Sequence, residues 1–336
     1  MANKSRPNEF DLIKEYLSPL TQAESGAALL TDDAAVLPTK KDHHLVVTMD
    51  TLISNVHFFN DTPSDLIASK CLRVNISDLA AMGAESAYYS LSLSLPIEEE
   101  MKYDANWINN FSQGLATEQA LYGITLIGGD TVSTPGPLSI TITAFGWVKE
   151  GKEINRSGAT CGDLVYVSGT IGDAWLGLTA LSGSNMEIEP SHLNFLTSSY
   201  LRPQPRIDLG QRISVFANSA MDISDGLAQD LGHICKASNV SAVIKSDDIP
   251  LSVAARVLVQ TDPELLKSLI SGGDDYELLF TVPSKFQKDI ERLAKELEIP
   301  LTQIGHIDTL KDEQLVTIVD SKGAKIEIAS SGYQHF

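Results

Sequence analysis

The 336-residue chain has no run approaching the roughly 18 consecutive apolar residues that a membrane helix requires. Its polar start, Met1 to Arg6, has no apolar signal core behind it, so the cytoplasm is the expected location. Cysteine is scarce: Cys71, Cys161 and Cys235 lie far apart and form no CxxC pair. That excludes a disulfide frame and a thiolate zinc site. Basic residues are outnumbered 25 to 44, for a formal charge of −19. A partner nucleic acid is excluded with them, because binding a phosphate backbone needs a basic face. GxxxxGK[ST] is absent, no GxGxxG follows a strand, and no Ser-His-Asp or Cys-His arrangement has supporting context. Any nucleotide is held by a different device.

What the chain does have is aspartate in short knots beside glycine, serine or threonine, at the ends of apolar runs. They read Thr31-Asp32-Asp33, Thr48-Met49-Asp50, Asn75-Ile76-Ser77-Asp78, Gly128-Gly129-Asp130, Asp222-Ile223-Ser224-Asp225-Gly226 and Ser271-Gly272-Gly273-Asp274-Asp275. A single knot is explained by turn chemistry alone. Carboxylates brought together stay ionised only with a cation among them. Hard oxygen ligands point to Mg²⁺, held by a few carboxylates together with substrate phosphates. The expected chemistry is magnesium-dependent and acts on phosphate.

The length suits two domains with a sizeable core. Strand and helix patterns alternate throughout, which predicts an α/β (α+β) fold. A helix is expected over Asn8 to Leu20, and a strand from Leu45 to Met49 delivering Asp50 at its end. A helix starts at Pro63-Ser64-Asp65 and stops at Gly83, with Ala68, Leu72, Ile76 and Leu79 as its apolar stripe and Asn75 and Asp78 on the flank. A short strand from Ile124 to Ile127 ends in the Gly128-Gly129-Asp130 turn. The alternation of Ile140, Ile142 and Ala144 against Thr141 and Thr143 is a half-buried strand. Lys149 to Arg156 reads as a crossing, placing an N-terminal domain at 1–150 and a C-terminal domain at 151–336. In the second half, Ser168 to Asp173 opens a helix, and a strand over Ser219 to Ile223 leads into a helix from Gly226 to Ala237.

Asp33, Asp50, Asp78 and Asp130 each sit at an element boundary, as cap or turn residues or as metal ligands; Met49 can offer only its carbonyl. Glycine lets backbone approach a phosphate closely at Gly128-Gly129. Asp222 and Asp225, with Ser224 between them, can place two carboxylates and a hydroxyl on one cation at a helix N-terminus that also favours phosphate. Arg156 and Arg206 are candidates for a bidentate phosphate clamp or for surface ion pairs. His57 and Tyr333 have structural readings as good as their functional ones.

Taken in order, these runs resemble the thiamine-monophosphate kinase family, in the superfamily of aminoimidazole ribonucleotide synthetase, selenophosphate synthetase and the hydrogenase maturation factor HypE. The resemblance covers nearly the whole chain. It is carried by Asp32-Asp33-Ala34-Ala35-Val36-Leu37, Asn75-Ile76-Ser77-Asp78-Leu79-Ala80-Ala81-Met82-Gly83, Leu126-Ile127-Gly128-Gly129-Asp130-Thr131, Asp222 to Leu227, Ser271 to Leu278 and the ending Gly332 to Phe336. It implies ATP-dependent phosphorylation of thiamine monophosphate to thiamine diphosphate. It also implies an N-terminal domain that binds Mg-ATP and pairs its sheet with a second copy into a barrel, making a homodimer. A C-terminal α/β domain completes the metal, nucleotide and substrate site. The implied Mg²⁺ ligands are Asp33, Thr48, Met49 (main chain), Asp50, Asp78, Asp130, Asp222 and Asp225. ATP falls to Gly129, Asp130, Arg156 and Ser224, with Asp130, Asp222 and Arg156 carrying the chemistry. The substrate falls to His57, Asp274 and the tail, where Ser330 replaces an aromatic residue usual in the family and Tyr333 is the nearest ring. A threonine is usual at Met49, and glutamate is common at Asp274. The alternatives are another ATP-using member of the superfamily and a non-catalytic binding protein.

Overall fold

The computed structural model describes residues 6–22, 24–99, 101–184, 186–310, 313–328 and 332–333. The chain divides into two units. One holds Met1–Leu79 and Ala84–Glu150; the other holds Ala80–Gly83 and Gly151–Phe336.

The first unit opens with α1 (Glu9–Leu12), capped by the Asn8 side chain accepting from the Asp11 N–H. In place of one regular helix to Leu20, the chain changes pitch twice, through a π turn over Ile13–Leu17 and a 3₁₀ turn over Ser18–Thr21. Pro19, in the first turn of that last segment, has no N–H to continue the α ladder. The unit's sheet contains β1 (His43–Ile53), β2 (Glu85–Pro96), β3 (Thr125–Thr134) and β4 (Ser139–Lys149), in the order β1-β4-β2-β3. β2 and β3 are parallel, joined through α3 (Ala105–Tyr122); the other pairs are antiparallel.

One face of this sheet is covered. Tyr89, Leu91, Leu93, Ile140, Ile142 and Ala144 are buried there. α2 (Ser64–Ala81) and α3 press together closely enough that a Cβ on Gly114 would meet Asp65 and Ala68 below 3 Å. α2 is not one-sided as its stripe suggested, because residues 67–77 are all buried, Lys70 and Arg73 included. Glu118 of α3 satisfies two of the buried groups, accepting from Arg73 Nε at 2.8 Å and Ser69 Oγ at 2.6 Å. On the opposite face Leu45, Val47 and Met49 are exposed, in register with Trp147, Phe145 and Thr143.

Both strand ends expected near the acidic knots move. Asp50 lies inside β1, three residues before its end, and Gly128-Gly129-Asp130 lies inside β3. A Cβ on Gly129 would fall 1.9 Å from the Leu91 carbonyl oxygen, so glycine is required there for the strand to pack against β2. Gly129 therefore serves a close strand approach, which a turn reading of the pair overlooks, while a Cβ on Gly128 would meet open space.

The second unit holds β5 (Asp163–Ser168), α4 (Asp173–Leu181), α5 (Pro190–Leu201), α6 (Ile207–Ile213), β6 (Ser219–Asp222), α7 (Leu227–Ser238) and β7 (Val240–Lys245). It continues with α8 (Val253–Thr261), α9 (Leu265–Ser271), β8 (Leu278–Pro283), α10 (Gln287–Leu297), β9 (Leu301–Thr309) and β10 (Val316–Val319). Its mixed sheet runs β10-β7-β9-β5-β8-β6, with only the β10–β7 pair parallel. Alternation along β5 feeds two cores. Val165 and Val167 pack with Leu231 and Ile234 of α7, and Tyr166 packs with Leu209 of α6 and Ile290 of α10. Among the described residues no helix is long and apolar enough to cross a membrane.

Candidate functional site

In the first unit the acidic residues form two groups. Period-two alternation turns Thr48 and Asp50 of β1 toward α2 and Met49 away from it. Thr48 Oγ1 donates to Asp78 Oδ2, and the Asp50 N–H donates to Asn75 Oδ1 at 3.0 Å. Asn75 is fully buried and uses its amide nitrogen on the Cys71 carbonyl at 2.9 Å, so its side chain fixes β1 against the helix. Met49, with its side chain 63% exposed on the opposite face, has only its carbonyl to offer this group.

The second group lies at β3. Asp32, Asp33, Gly128, Gly129 and Asp130 line one cleft of about 260 Å³, together with Glu9, Ile13 and Leu30. Asp33 and Asp130 are both exposed in it. β1 and β3 are opposite edges of the sheet, about 14 Å apart at three strand spacings. Within one chain the sheet therefore holds Asp33 and Asp130 away from Thr48, Asp50 and Asp78.

In the second unit two loops are zipped together by backbone. β6 ends at Asp222, the loop after it carries Ser224 and Asp225, and the loop before β8 carries Asp274. Asp274 N–H donates to the Ser224 carbonyl and Tyr276 N–H to the Ile223 carbonyl, both at 2.8 Å. Gly273 allows this approach, since a Cβ there would lie 2.2 Å from the Ser224 oxygen. Asp222 is buried at the end of β6, whereas Ser224 and Asp225 are half-buried.

The N–H groups of Asp225 and Gly226 both donate to Asp230 Oδ2 at 3.1 Å, one turn into α7. Burial first, and then the Asp225 charge, push the Asp230 carboxyl up to about 7. Gln229 Nε2 donates to Asp225 Oδ2 at 3.1 Å and to the Tyr333 carbonyl at 2.9 Å, while Tyr333 N–H donates to the Asp225 carbonyl at 2.9 Å. The tail at Gly332 and Tyr333 is thereby tied to the Asp225 loop. Ser330 lies outside the described residues.

Arg156 is exposed, on a stretch whose carbonyl accepts from Ser238 Oγ near the C-terminus of α7. Arg206 is not an open phosphate clamp. Its Nε donates to Glu277 Oε2 at 2.7 Å and its other nitrogen to Oε1, and Ser168 Oγ also donates to that carboxylate. His57 Nδ1 accepts the Ile53 N–H at 3.0 Å, so its own turn fixes the ring. The Gly-rich opening of α4 is occupied by protein: Asp275 accepts from Gly172 N–H at 2.8 Å and Ala174 N–H at 3.4 Å. Gln229 and Asp230 escaped the sequence reading, which places Asn75 on the flank of α2 but not against β1. Only Asp230, placed like an acidic first-turn residue of the helix after Gly226, left a trace of its role there.

The donor chemistry fits Mg²⁺. Thr48, Asp50 and Asp78 in one group, Asp33 and Asp130 in another and Asp222 and Asp225 in the third offer hard oxygens, with neither sulfur nor imidazole among them.

Residues 31–148 match the AIR synthase related protein, N-terminal domain, and residues 160–318 match its C-terminal domain. The chain is 41% identical over 331 residues to the thiamine-monophosphate kinase of Haemophilus influenzae, covering 98% of each. The crystal structure of thiamine-monophosphate kinase from Stenotrophomonas maltophilia matches with a TM-score of 0.78 at 42% identity, over 86% of this chain and 89% of that one. The structure of AaThiL complexed with AMPPCP and TMP matches with a TM-score of 0.76 at 29% identity, over 97% and 96% of the two chains.

Proposed function

The chain belongs to the thiamine-monophosphate kinase family of AIR synthase related proteins, and we propose that it phosphorylates thiamine monophosphate to thiamine diphosphate by direct in-line transfer from ATP. Kinase relatives that align over 98% of the chain carry this reading. The AaThiL complex, with an ATP analogue and TMP bound, supplies the two substrates.

The acceptor is a phosphate oxygen, ionised at neutral pH, so the step needs no strong general base. Positioning and charge neutralisation remain as the work of the protein. In our reading Asp33, Thr48, Asp50, Asp78 and Asp130 of the first unit, and Asp222 and Asp225 of the second, hold Mg²⁺, with the Met49 carbonyl as a further ligand. When bound, Mg²⁺ offsets the repulsion between the two phosphate-bearing substrates. The nucleotide is assigned to Gly129, Asp130, Arg156 and Ser224. Arg156, whose guanidinium is exposed, neutralises charge on the transferred group. His57, Asp274 and the tail at Ser330 and Tyr333 take the thiamine end. In this reading the N-terminal domain, 1–150, serves Mg-ATP binding and dimerisation, and residues 151–336 complete the site.

A second copy of the chain is proposed to cover the open sheet face of Leu45, Val47 and Met49, which are 49%, 53% and 63% exposed and in register with Trp147, Phe145 and Thr143. An apolar sheet face of this kind is typical of an interface. The cytoplasm is the proposed location.

Purified protein with ATP, Mg²⁺ and thiamine monophosphate tests the reaction, followed by chromatography for thiamine diphosphate and ADP. Equal yields of the two products are expected. ADP without thiamine diphosphate, or binding of both substrates with no turnover, would overturn the proposal.

A further inference from the structure

Asp230 and His233 are three residues apart on α7, a spacing that puts both side chains on one helix face. A carboxylate with a histidine three residues on is also the pairing by which helical bundles hold transition metals. Asp225 stands in the loop just ahead of the helix. One ligand atom from each residue, carboxylate oxygens of Asp225 and Asp230 and a ring nitrogen of His233, lie within 4.8 Å of one another.

Helix capping accounts for only half of Asp230. Its Oδ2 takes the Asp225 and Gly226 N–H groups, but its Oδ1 has no hydrogen-bond partner among the described residues. The residue is 0% exposed, so that oxygen has no bulk water either. A buried acceptor without a donor is costly, and a cation removes the cost directly. His233 is exposed and lines an open groove with Gln229, Lys236, Val316 and Ile328, so its imidazole is the ligand an ion meets first from solvent.

We propose that Asp225, Asp230 and His233 form a site for one divalent transition-metal ion such as Zn²⁺, separate in chemistry from the oxygen-only groups assigned to Mg²⁺. Imidazole among carboxylates suits Zn²⁺, whereas Mg²⁺ prefers oxygen and keeps its water. Ligand bonds of about 2.1 Å put tetrahedral donors roughly 3.4 Å apart, so the trio need close by only a little over 1 Å from the 4.8 Å limit. The exposed His233 side chain is the one able to swing. Asp225 belongs to both sets of ligands, so filling this site draws its carboxylate away from the Mg²⁺ group and slows turnover.

Calorimetric titration of the full-length chain with Zn²⁺, in millimolar Mg²⁺ throughout, tests this. Wild type should bind one ion, and His233→Gln should weaken that event about 10- to 100-fold. His233→Gln should keep wild-type kinase turnover in Mg²⁺ alone, while losing both the Zn²⁺-induced rise in melting temperature and the inhibition by Zn²⁺. Asp230→Asn, which keeps an oxygen for the two N–H groups, should also lose the Zn²⁺ event. Equal Zn²⁺ affinity in wild type and His233→Gln, or no Zn²⁺ binding by wild type, would overturn the site. Neither result bears on thiamine monophosphate phosphorylation, which is measured separately.

Discussion

Replacing Gly273 by alanine tests whether the zipped loops of the second unit set the reaction geometry. The added Cβ would sit 2.2 Å from the Ser224 carbonyl oxygen. To reach an ordinary contact the two loops must part by about 1 Å. That movement pulls on the Asp274-to-Ser224 and Tyr276-to-Ile223 hydrogen bonds, each 2.8 Å long. At about 1 kcal/mol net per bond, and more where a buried group is left unmet, the variant should lose about 2–4 kcal/mol of stability. The effect on rate should be larger in proportion, because Asp222, Ser224, Asp225 and Asp274 move with the loops. A displacement of this size at reacting groups costs on the order of 100-fold in turnover. Urea denaturation gives the first quantity, and steady-state kinetics with thiamine monophosphate gives the second. Gly151→Ala is the control: its φ of +71° penalises alanine, but no atom lies within 4 Å of the new methyl. It should cost about 1 kcal/mol and leave turnover unchanged. A Gly273→Ala enzyme as stable and as fast as wild type would refute the reasoning.

Asp130→Asn and Asp222→Asn should each lower turnover by orders of magnitude while far-UV circular dichroism stays native, and wild-type turnover in either would remove it from the metal ligands. Arg206→Met leaves the Glu277 carboxylate buried without its guanidinium and should cost about 3–5 kcal/mol in chemical denaturation. Burial holds the Asp275 carboxyl well above its ordinary range. Its protonated form is therefore favoured in the fold, and the associated stability is present below about pH 4 and lost as pH rises toward the folded value. Asp275→Asn should flatten that decline in denaturation curves taken between about pH 4 and pH 8, and an unchanged slope would contradict it. Val47→Asp, on the open sheet face, should leave helix and strand content intact but halve the mass found by light scattering; an unchanged mass would exclude that face from the dimer contact.

Much of this was legible in the residues. The alternation in β4 and the strand leading to Asp222 are patterns of burial, which periodicity encodes, and the start of α2 at Ser64 follows from the local Pro63-Ser64-Asp65 signal. The acidic knots were legible as positions but not as surroundings: Asp222 is buried, whereas Asp33 and Asp130 are exposed. Strand ends were harder to read. Asp50 and Asp130 looked terminal because glycine and aspartate are turn residues, yet β1 and β3 run through them on cross-strand hydrogen bonds. Arg206 could not be told from a phosphate ligand, since its partner Glu277 lies 71 residues away. The same holds for Asn75, whose role depends on a strand 25 residues before it.

The parity of β1 has a consequence for how the protein tolerates change. Odd-numbered side chains from Leu45 to Met49 make one surface, and even-numbered Thr48 and Asp50 make another. A deletion or insertion of one residue in this strand exchanges the two sets at a stroke. On the proposed assignments, assembly and Mg²⁺ binding would then be lost together, and no compensating substitution at a single position could restore either alone. Length in this strand is thus under tighter constraint than identity: point changes at Leu45 or Val47 can be absorbed one at a time, whereas a frame change within the strand cannot.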